Sequence, residues 1–300
     1  MAPRAEEHAY SPVDTLYFNA QSKDKNMNKI LCSTGTLIGR PNGRDFTLLL
    51  KHQDRINADG YEFMMYDSWY EKLDDIRRVM QSFTPPVLTF HIDKSIGELA
   101  SSDKEEDRER ALGLFKINSA FARELGAKKL VLHLWNGPTS DANIGRNIEC
   151  YKFFREIADT DGIALTVENV VCSHGNPMDH FKALANLYPD IEFTFDTKMA
   201  GFHNQLDYFE KEENRNLFRR VSHIHLNDYG GGYMDWENLR TLHIGKGHLD
   251  FDKFFAFLKS TGYSGDFTVE ATSFDKTGAI DLGSLNACLD LARKYISSQH

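Results

Sequence analysis

The sequence predicts an α/β protein folded as a single (β/α)8 TIM barrel, and three observations carry that expectation. Short apolar runs recur eight times, separated by stretches of helical periodicity, which is the pattern of strands and helices alternating around a parallel sheet. The eight units occupy about 270 residues, near the ~250 typical of such a barrel, and no Pro/Gly-rich linker divides them. The first run leads into STGTLIGRPNG and not into the G-x-G-x-x-G turn of a dinucleotide-binding open sheet, so the closed barrel is preferred.

Taken in order, the runs are KILCSTG (29–35), YEFMMYD (61–67), VLTFHID (87–93), KLVLHLW (129–135), ALTVENV (164–170), EFTFDT (192–197), VSHIHLND (221–228) and DFTVEAT (266–272). Residues 1–26 are polar and without a sustained period, and they read as an N-terminal extension, with flexibility expected, ahead of a barrel over 27–297. Whether this segment precedes an alternative start at Met27 or serves as an arm stays open. Between the third and fourth runs, Leu114, Ile117, Phe121 and Leu125 recur at helical spacing, with Ser101 or Ser102 placed to cap the start and Gly126 to end the helix. The charged run SSDKEEDRER before it reads as a solvated helix start.

Composition narrows the function classes. The chain has 300 residues, 41% of them hydrophobic, enough for one large core. Its 35 Lys and Arg against 44 Asp and Glu give a formal charge of −9, which would repel a phosphate backbone and disfavours nucleic acid as a partner. The four cysteines, Cys32, Cys150, Cys172 and Cys288, form no C-x-x-C pair, and no signal segment or membrane-length apolar run is present. A reduced, cytoplasmic protein without a membrane partner is expected.

In a barrel, chemistry is built where strands end at the C-terminal face. Near the ends of strands three to eight stand His91, His133, Glu168, Asp196, His225 and Glu270, although Asp, Glu and His together make under a fifth of the chain. Singly, a strand histidine is more often a hydrogen-bonded core residue, and Asp196 would serve equally as a helix cap. Glu168 is harder to explain that way, because it stands among Leu165, Val167 and Val170, and burying an unpaired carboxylate costs several kcal/mol. Glu270, in FTVEAT, repeats the anomaly. A divalent metal at the mouth resolves the repulsion.

The segments VLTFHI, KLVLHLW, LTVENV, FTFDT, HIHLND and HIGKGHLDFDKFFAFLKSTGYSGDFTVEAT resemble the xylose isomerase-like barrel superfamily, which includes sugar epimerases, inosose dehydratases and endonuclease IV. The likeness spans roughly 29–295, and its most specific part is the order His, G-x-G, Asp250, Tyr263, Gly265, Glu270. It implies a metal held by Glu168, Asp196, His225 and Glu270, with His223 one layer deeper in a core or ligand-orienting role. The glycines at 230–232 read as a turn or lid, with a phosphate cradle as the alternative.

Compared with the three-metal endonucleases, His91, His133 and Glu168 match the first metal's ligands. The third metal's places hold Met199, Thr241 and His243, of which only the last is a ligand type, so a phosphodiesterase is not expected. Met199 also stands where the epimerases place a substrate-holding histidine, and His203, four residues on, is the candidate to replace it. His91, His133, Trp135 and His243 are expected to line the substrate site, Trp135 having barrel packing as its alternative.

The resemblance thus implies an isomerase or epimerase of a sugar, sugar phosphate or sugar derivative, with Mn²⁺ expected first and Mg²⁺, Co²⁺ or Zn²⁺ also suited to the O/N ligands. Glu168 and Glu270 would move a proton beside a carbonyl through an enediolate. A lyase on the same scaffold and a metal-stabilised sugar-binding protein are the competing readings. A homo-oligomer is compatible with all of them.

Overall fold

Eight parallel strands close on themselves in chain order: β1 (Ile30–Ser33), β2 (Gly60–Met64), β3 (Val87–His91), β4 (Lys129–Leu132), β5 (Ala164–Glu168), β6 (Glu192–Asp196), β7 (Val221–Leu226) and β8 (Asp266–Val269). Closure is visible at Cys32, which pairs with Tyr61 of β2 on one side and Val269 of β8 on the other. The computed structural model describes residues 28–137 and 140–298; the predicted extension at 1–26 lies outside the described residues.

Among the described residues the α-helices are α1 (Leu48–His52), α2 (Leu73–Gln81), α3 (Ser95–Ala100), α4 (Glu105–Glu124), α5 (Ile144–Asp161), α6 (Pro177–Leu187), α7 (Thr197–Phe202), α8 (Arg215–Phe218), α9 (Phe251–Thr261) and α10 (Leu282–Ser297). None is long and apolar enough to cross a membrane. Every predicted run overlaps a strand. The strands end earlier than the runs do, so that His133, Asn227 and Glu270 are each the first residue past a strand.

Alternation along the strands sorts the side chains into two cores. The outward set, including Phe63, Phe90, Phe193 and Ile224, is buried against the helices, with Phe63 stacked on Phe90 at 5.3 Å and Phe181 of α6 on Phe193 at 3.9 Å. The inward set is polar: Glu62, Thr89, Thr166, Thr194, His223 and Thr268 are all buried. Its members satisfy one another, as with Thr166 and Thr194 hydroxyls at 2.7 Å and His223 Nε2 with Thr268 Oγ1 at 2.9 Å.

Helix α4 differs in phase from its predicted stripe. Its buried face is Ala111, Phe115, Asn118, Ser119, Phe121 and Ala122, while Ile117 is 39% exposed. Two polar residues displaced the apolar pattern: Asn118 accepts from Asp93 N and donates to Tyr70 Oη, and Ser119 Oγ bonds Asp161. The start also differs, because Lys104 is the N-cap and Ser102 instead accepts from Lys104 N and bonds Asp107. Gly126, at φ 80°, supplies the left-handed residue that ends the helix as predicted.

Helix α3 lies so close to the end of β4 that a Cβ on Gly97 would stand 2.3 Å from the His133 carbonyl oxygen. Gly97→Ala is therefore expected to destabilise the protein by about 1–3 kcal/mol in urea unfolding, through overpacking. Gly113→Ala, in α4 where an added Cβ meets nothing within 4 Å, should instead be neutral or stabilising by up to about 1 kcal/mol. Equal effects at the two sites would contradict the packing described.

Candidate metal centre

At the C-terminal mouth the inward side chains of β3 to β8 converge on Glu168, the last residue of β5. Its Oε2 lies 3.3 Å from His91 Nε2 and 2.8 Å from His133 Nε2, and its Oε1 is 3.2 Å from His225 Nδ1. Glu270 Oε2 approaches the same His225 Nδ1 to 3.4 Å. Asp196 ends β6 with a divided role: Oδ1 caps α7 by accepting from Met199 N at 2.7 Å, while Oδ2 accepts from the Asn227 amide at 2.7 Å. That amide also donates to Glu270 Oε2 at 3.0 Å, so one Asn227 NH₂ spaces two carboxylates.

Glu168, Asp196, His225 and Glu270 each offer a ligand atom, and these atoms all lie within 4.8 Å of one another; His91, His133 and Glu168 form a second such group. The hydrogen bonding supports a cation here. Glu168 Oε2, His91 Nε2 and His133 Nε2 are buried and close, yet none makes an aligned hydrogen bond. Orphaned buried groups cost about 1–3 kcal/mol each, and a cation that accepts their lone pairs removes the deficit. The four-residue set, with three carboxylates and one imidazole, fits a divalent metal of intermediate hardness.

Charge is arranged accordingly. Burial works against ionised Glu168 and Glu270, but the imidazoles outweigh it, His133 and His225 at Glu168 and His225 at Glu270, and hold both well below the usual carboxylate range. Burial also opposes a charged His225, which Glu270, Glu62 and Glu168 nevertheless hold well above the ordinary histidine range. Asp196 goes the other way: burial pushes it up to about 6, with Lys198 pulling down and Glu168 and Glu270 pushing further up. Burial lowers His133 to about 4, leaving it neutral. The proton on His225 Nδ1 is the one a bound cation would displace.

The structure brings together His91, His133, Glu168, Asp196, His225 and Glu270. His243 sits at the rim, its Nε2 bonded to Ser273 Oγ at 2.9 Å. Trp135 is fully buried, its indole N–H donating to the Val170 carbonyl at 2.8 Å and its ring edge-on to His180, contacts that belong to the packing alternative. His203 accepts from Cys172 N at 3.0 Å, and burial lowers it to about 4. Its neighbours are Phe202 and Tyr233, on the flank of the mouth. The G-x-G at 245–247 is explained by Asp228, whose carboxylate accepts from the backbone N–H groups of Tyr229, Gly245, Gly247 and Leu249. Among the glycines at 230–232, Gly231 packs against the Tyr229 ring, where a Cβ would meet its hydroxyl at 2.4 Å, and the Gly232 carbonyl accepts from that hydroxyl at 2.8 Å.

Two residues of the site escaped the reading of strand ends. Glu62, inside β2 and fully buried, places Oε2 3.1 Å from His225 Nε2 and 3.3 Å from His223 Nε2. His223 and His225 hold its carboxyl down at about 2 against the effect of burial. The signal was present in GYEFMM, a carboxylate flanked by Tyr61 and Phe63, the same anomaly that marked Glu168. The other is Asn227, one residue past β7.

Residues 53–286 match the model of the xylose isomerase-like TIM barrel family. The chain belongs to that family. Among solved structures, a D-tagatose 3-epimerase-like protein is similar at TM-score 0.67 and 19% identity, covering 90% of this chain and 98% of its own. The D-allulose 3-epimerase of Methylomonas sp., solved with D-allulose, gives 0.64 and 16%, covering 92% and 98%. The IolI protein, solved with a zinc atom, gives 0.61 and 15%, covering 90% and 97%. No curated protein sequence matches the chain significantly.

Within this family member, Glu62 takes the far nitrogen of His225 and fixes which nitrogen faces the other carboxylates. Glu62→Gln is expected to weaken Mn²⁺ binding about 10–100-fold in calorimetric titration, as loss of such partners typically does. Unchanged affinity in a folded variant would contradict that role.

Proposed function

We propose that this barrel is a metal-dependent isomerase or epimerase of a sugar or sugar derivative, working by proton abstraction beside a carbonyl. The observation that carries the reading is that Glu168 and Glu270, from opposite flanks of His225, both reach its Nδ1, at 3.2 and 3.4 Å. Two carboxylates are thereby presented to one small volume from different strands. The structural likeness to a D-tagatose 3-epimerase-like protein and to a D-allulose 3-epimerase supports the same chemistry for this chain.

Glu168, Asp196, His225 and Glu270 would hold the cation, with Mn²⁺ the expected ion and Mg²⁺, Co²⁺ or Zn²⁺ also compatible. When bound, it supplies Lewis acidity that lowers the pKa of the C–H next to a coordinated carbonyl.

The chain's own residues do the rest. One glutamate takes the proton: the C–H bond breaks, a carboxyl O–H forms, and the electron pair moves into the carbonyl to give an enediolate. Return of a proton to the neighbouring carbon gives isomerisation, and return to the opposite face gives epimerisation. Glu270, with its side chain 10% exposed against 1% for Glu168, faces the opening and is the more accessible partner. Asn227 keeps Glu270 and Asp196 apart, and His91 and His133 flank the outer oxygen of Glu168. Cytoplasmic residence fits four buried free thiols, and the net charge of −9 supports a small-molecule partner over nucleic acid.

In D₂O, the Mn²⁺-loaded protein should introduce deuterium next to the carbonyl of a substrate ketose. Glu168→Gln and Glu270→Gln, checked for retained metal, should each slow the exchange by about 10²–10⁴-fold. Exchange at the wild-type rate in both variants would make these residues ligands only. Release of a leaving group in place of label would identify a lyase.

A further inference from the structure

A further group of buried ligand-type side chains shares no residue with the mouth. Asp141, Cys172 and His180 each offer an atom, and these atoms all lie within 4.8 Å of one another. They come from three segments: the short 3-10 helix Ser140–Asn143 after β4, the loop after β5, and the first turn of α6. All three are buried, at 4%, 0% and 8% exposure. The proton-transfer chemistry uses none of them.

Hydrogen bonding accounts for Asp141 and leaves His180 unmet. Asp141 Oδ1 accepts from Ser173 N at 2.9 Å, and Oδ2 accepts from His174 N at 2.9 Å and Gly175 N at 2.7 Å. These bonds aim the carboxylate, but no lysine or arginine nitrogen lies within 4.0 Å of it among the described residues. Only imidazoles do, His174 Nδ1 at 3.5 Å from Oδ1 and His180 Nε2 at 4.0 Å from Oδ2. The second distance is too long for a hydrogen bond, and His180 Nε2 is buried with no such partner among the described residues. Gly175 keeps the space between these two atoms open, since a Cβ there would stand 2.8 Å from His180 Nε2 and 3.5 Å from Asp141 Oδ2. Cys172 Sγ makes a weak bond to the Val170 carbonyl at 3.7 Å.

We propose that Asp141, Cys172 and His180 bind a structural Zn²⁺ ion that clips the loops after β4 and β5 to α6. Thiolate, imidazole and carboxylate are ligands that zinc takes in tetrahedral sites, and a thiolate favours it over the harder Mn²⁺ or Mg²⁺. Zinc bonds of these types imply tetrahedral edges of about 3.3–3.7 Å, so the three groups need close in by about 1 Å at most. The backbone N–H groups on Asp141 give the outer support that orients a metal ligand. His174, with its side chain 54% exposed, is available for the fourth position, which water otherwise fills. On binding, the Cys172 S–H bond breaks, its proton leaves to solvent and an S–Zn bond forms; one thiolate and one carboxylate then balance the two charges of the ion. The site is independent of the isomerase reading.

The test loads the chelator-stripped full chain, kept reduced with a phosphine, with Zn²⁺, Mn²⁺ or Co²⁺ and measures bound metal after gel filtration. Zn²⁺ should exceed Mn²⁺ by about one equivalent per chain, the difference being the thiolate site. Co²⁺ should give a thiolate-to-metal charge-transfer band in the near ultraviolet, which the O/N ligands of the mouth cannot produce. Cys172→Ala should abolish the band and the extra Zn²⁺ while leaving Mn²⁺ binding unchanged, and Cys172→Ser provides the same reading if the alanine variant does not fold. His180→Gln should weaken the extra Zn²⁺ by about 100-fold or more in competition with a chromophoric chelator, since loss of even an outer partner typically costs 10–100-fold.

Folded wild-type protein that shows no charge-transfer band overturns the proposal. So does a band that survives the Cys172 substitutions, which would place the thiolate elsewhere, or a Zn²⁺ affinity unmoved by His180→Gln, which would leave a thiol binding alone. A band lost with Cys172 in a protein that takes up no Mn²⁺ would keep this site and count against the cation at the mouth.

Discussion

Like-charged carboxylates forced together in a nearly water-free mouth are the constraint on which this structure depends. Glu168 and Glu270 meet at one nitrogen of His225, and Asp196 joins them through the Asn227 amide. In a low-dielectric site such a cluster is unstable unless positive charge is supplied. Imidazoles supply part of it, but the unaligned atoms of Glu168, His91 and His133 show that hydrogen bonding alone does not complete the arrangement. The proposed divalent cation would do so, and would turn an electrostatic liability into a centre able to activate a C–H bond.

Much of the fold serves to hold this cluster in place. The barrel interior is polar, with Thr268 and His223 carrying Glu62, which carries the far side of His225. Asn169 pairs with both the N–H and the carbonyl of Asp196, extending the β5–β6 ladder by one side chain just where the ligand must be fixed. Thr197 does the same between β6 and β7, bonding the carbonyls of His225 and Asn227. Asp228 then locks the following loop by four backbone bonds, and Gly97 lets α3 rest on the end of β4 beside His133. These contacts position groups that otherwise repel one another.

The barrel was legible because strands and helices imprint different periods, and the strand-end residues because charge in an apolar run is costly. What lay beyond those rules was not legible. Glu62 stands mid-strand, so attention to strand ends passed over it, although its apolar neighbours carried the same warning as those of Glu168. Asn227 is neutral and marks no anomaly by itself; its role exists only because β6 and β8 bring two carboxylates to it. Lys198, two residues past Asp196, reads as part of an ordinary helix start, and its contact with Thr241 depends on how the loop after β7 closes. Trp135 had two readings in sequence, and its contacts with Val170 and His180 depend on how the loops after β4 and β5 close. The α4 stripe slipped because Asn118 and Ser119 face inward to meet buried polar partners, which no apolar count detects.

The central claim is that one divalent cation holds the carboxylate cluster together, and elemental analysis after reconstitution with Mn²⁺ and removal of free metal tests it most directly. The account predicts about one equivalent per chain in the folded protein, falling well below that in Asp196→Asn, since hard carboxylate donors dominate such a site. Folded wild-type protein that retains less than about a tenth of an equivalent of Mn²⁺, and likewise of Mg²⁺, Co²⁺ and Zn²⁺, would contradict it.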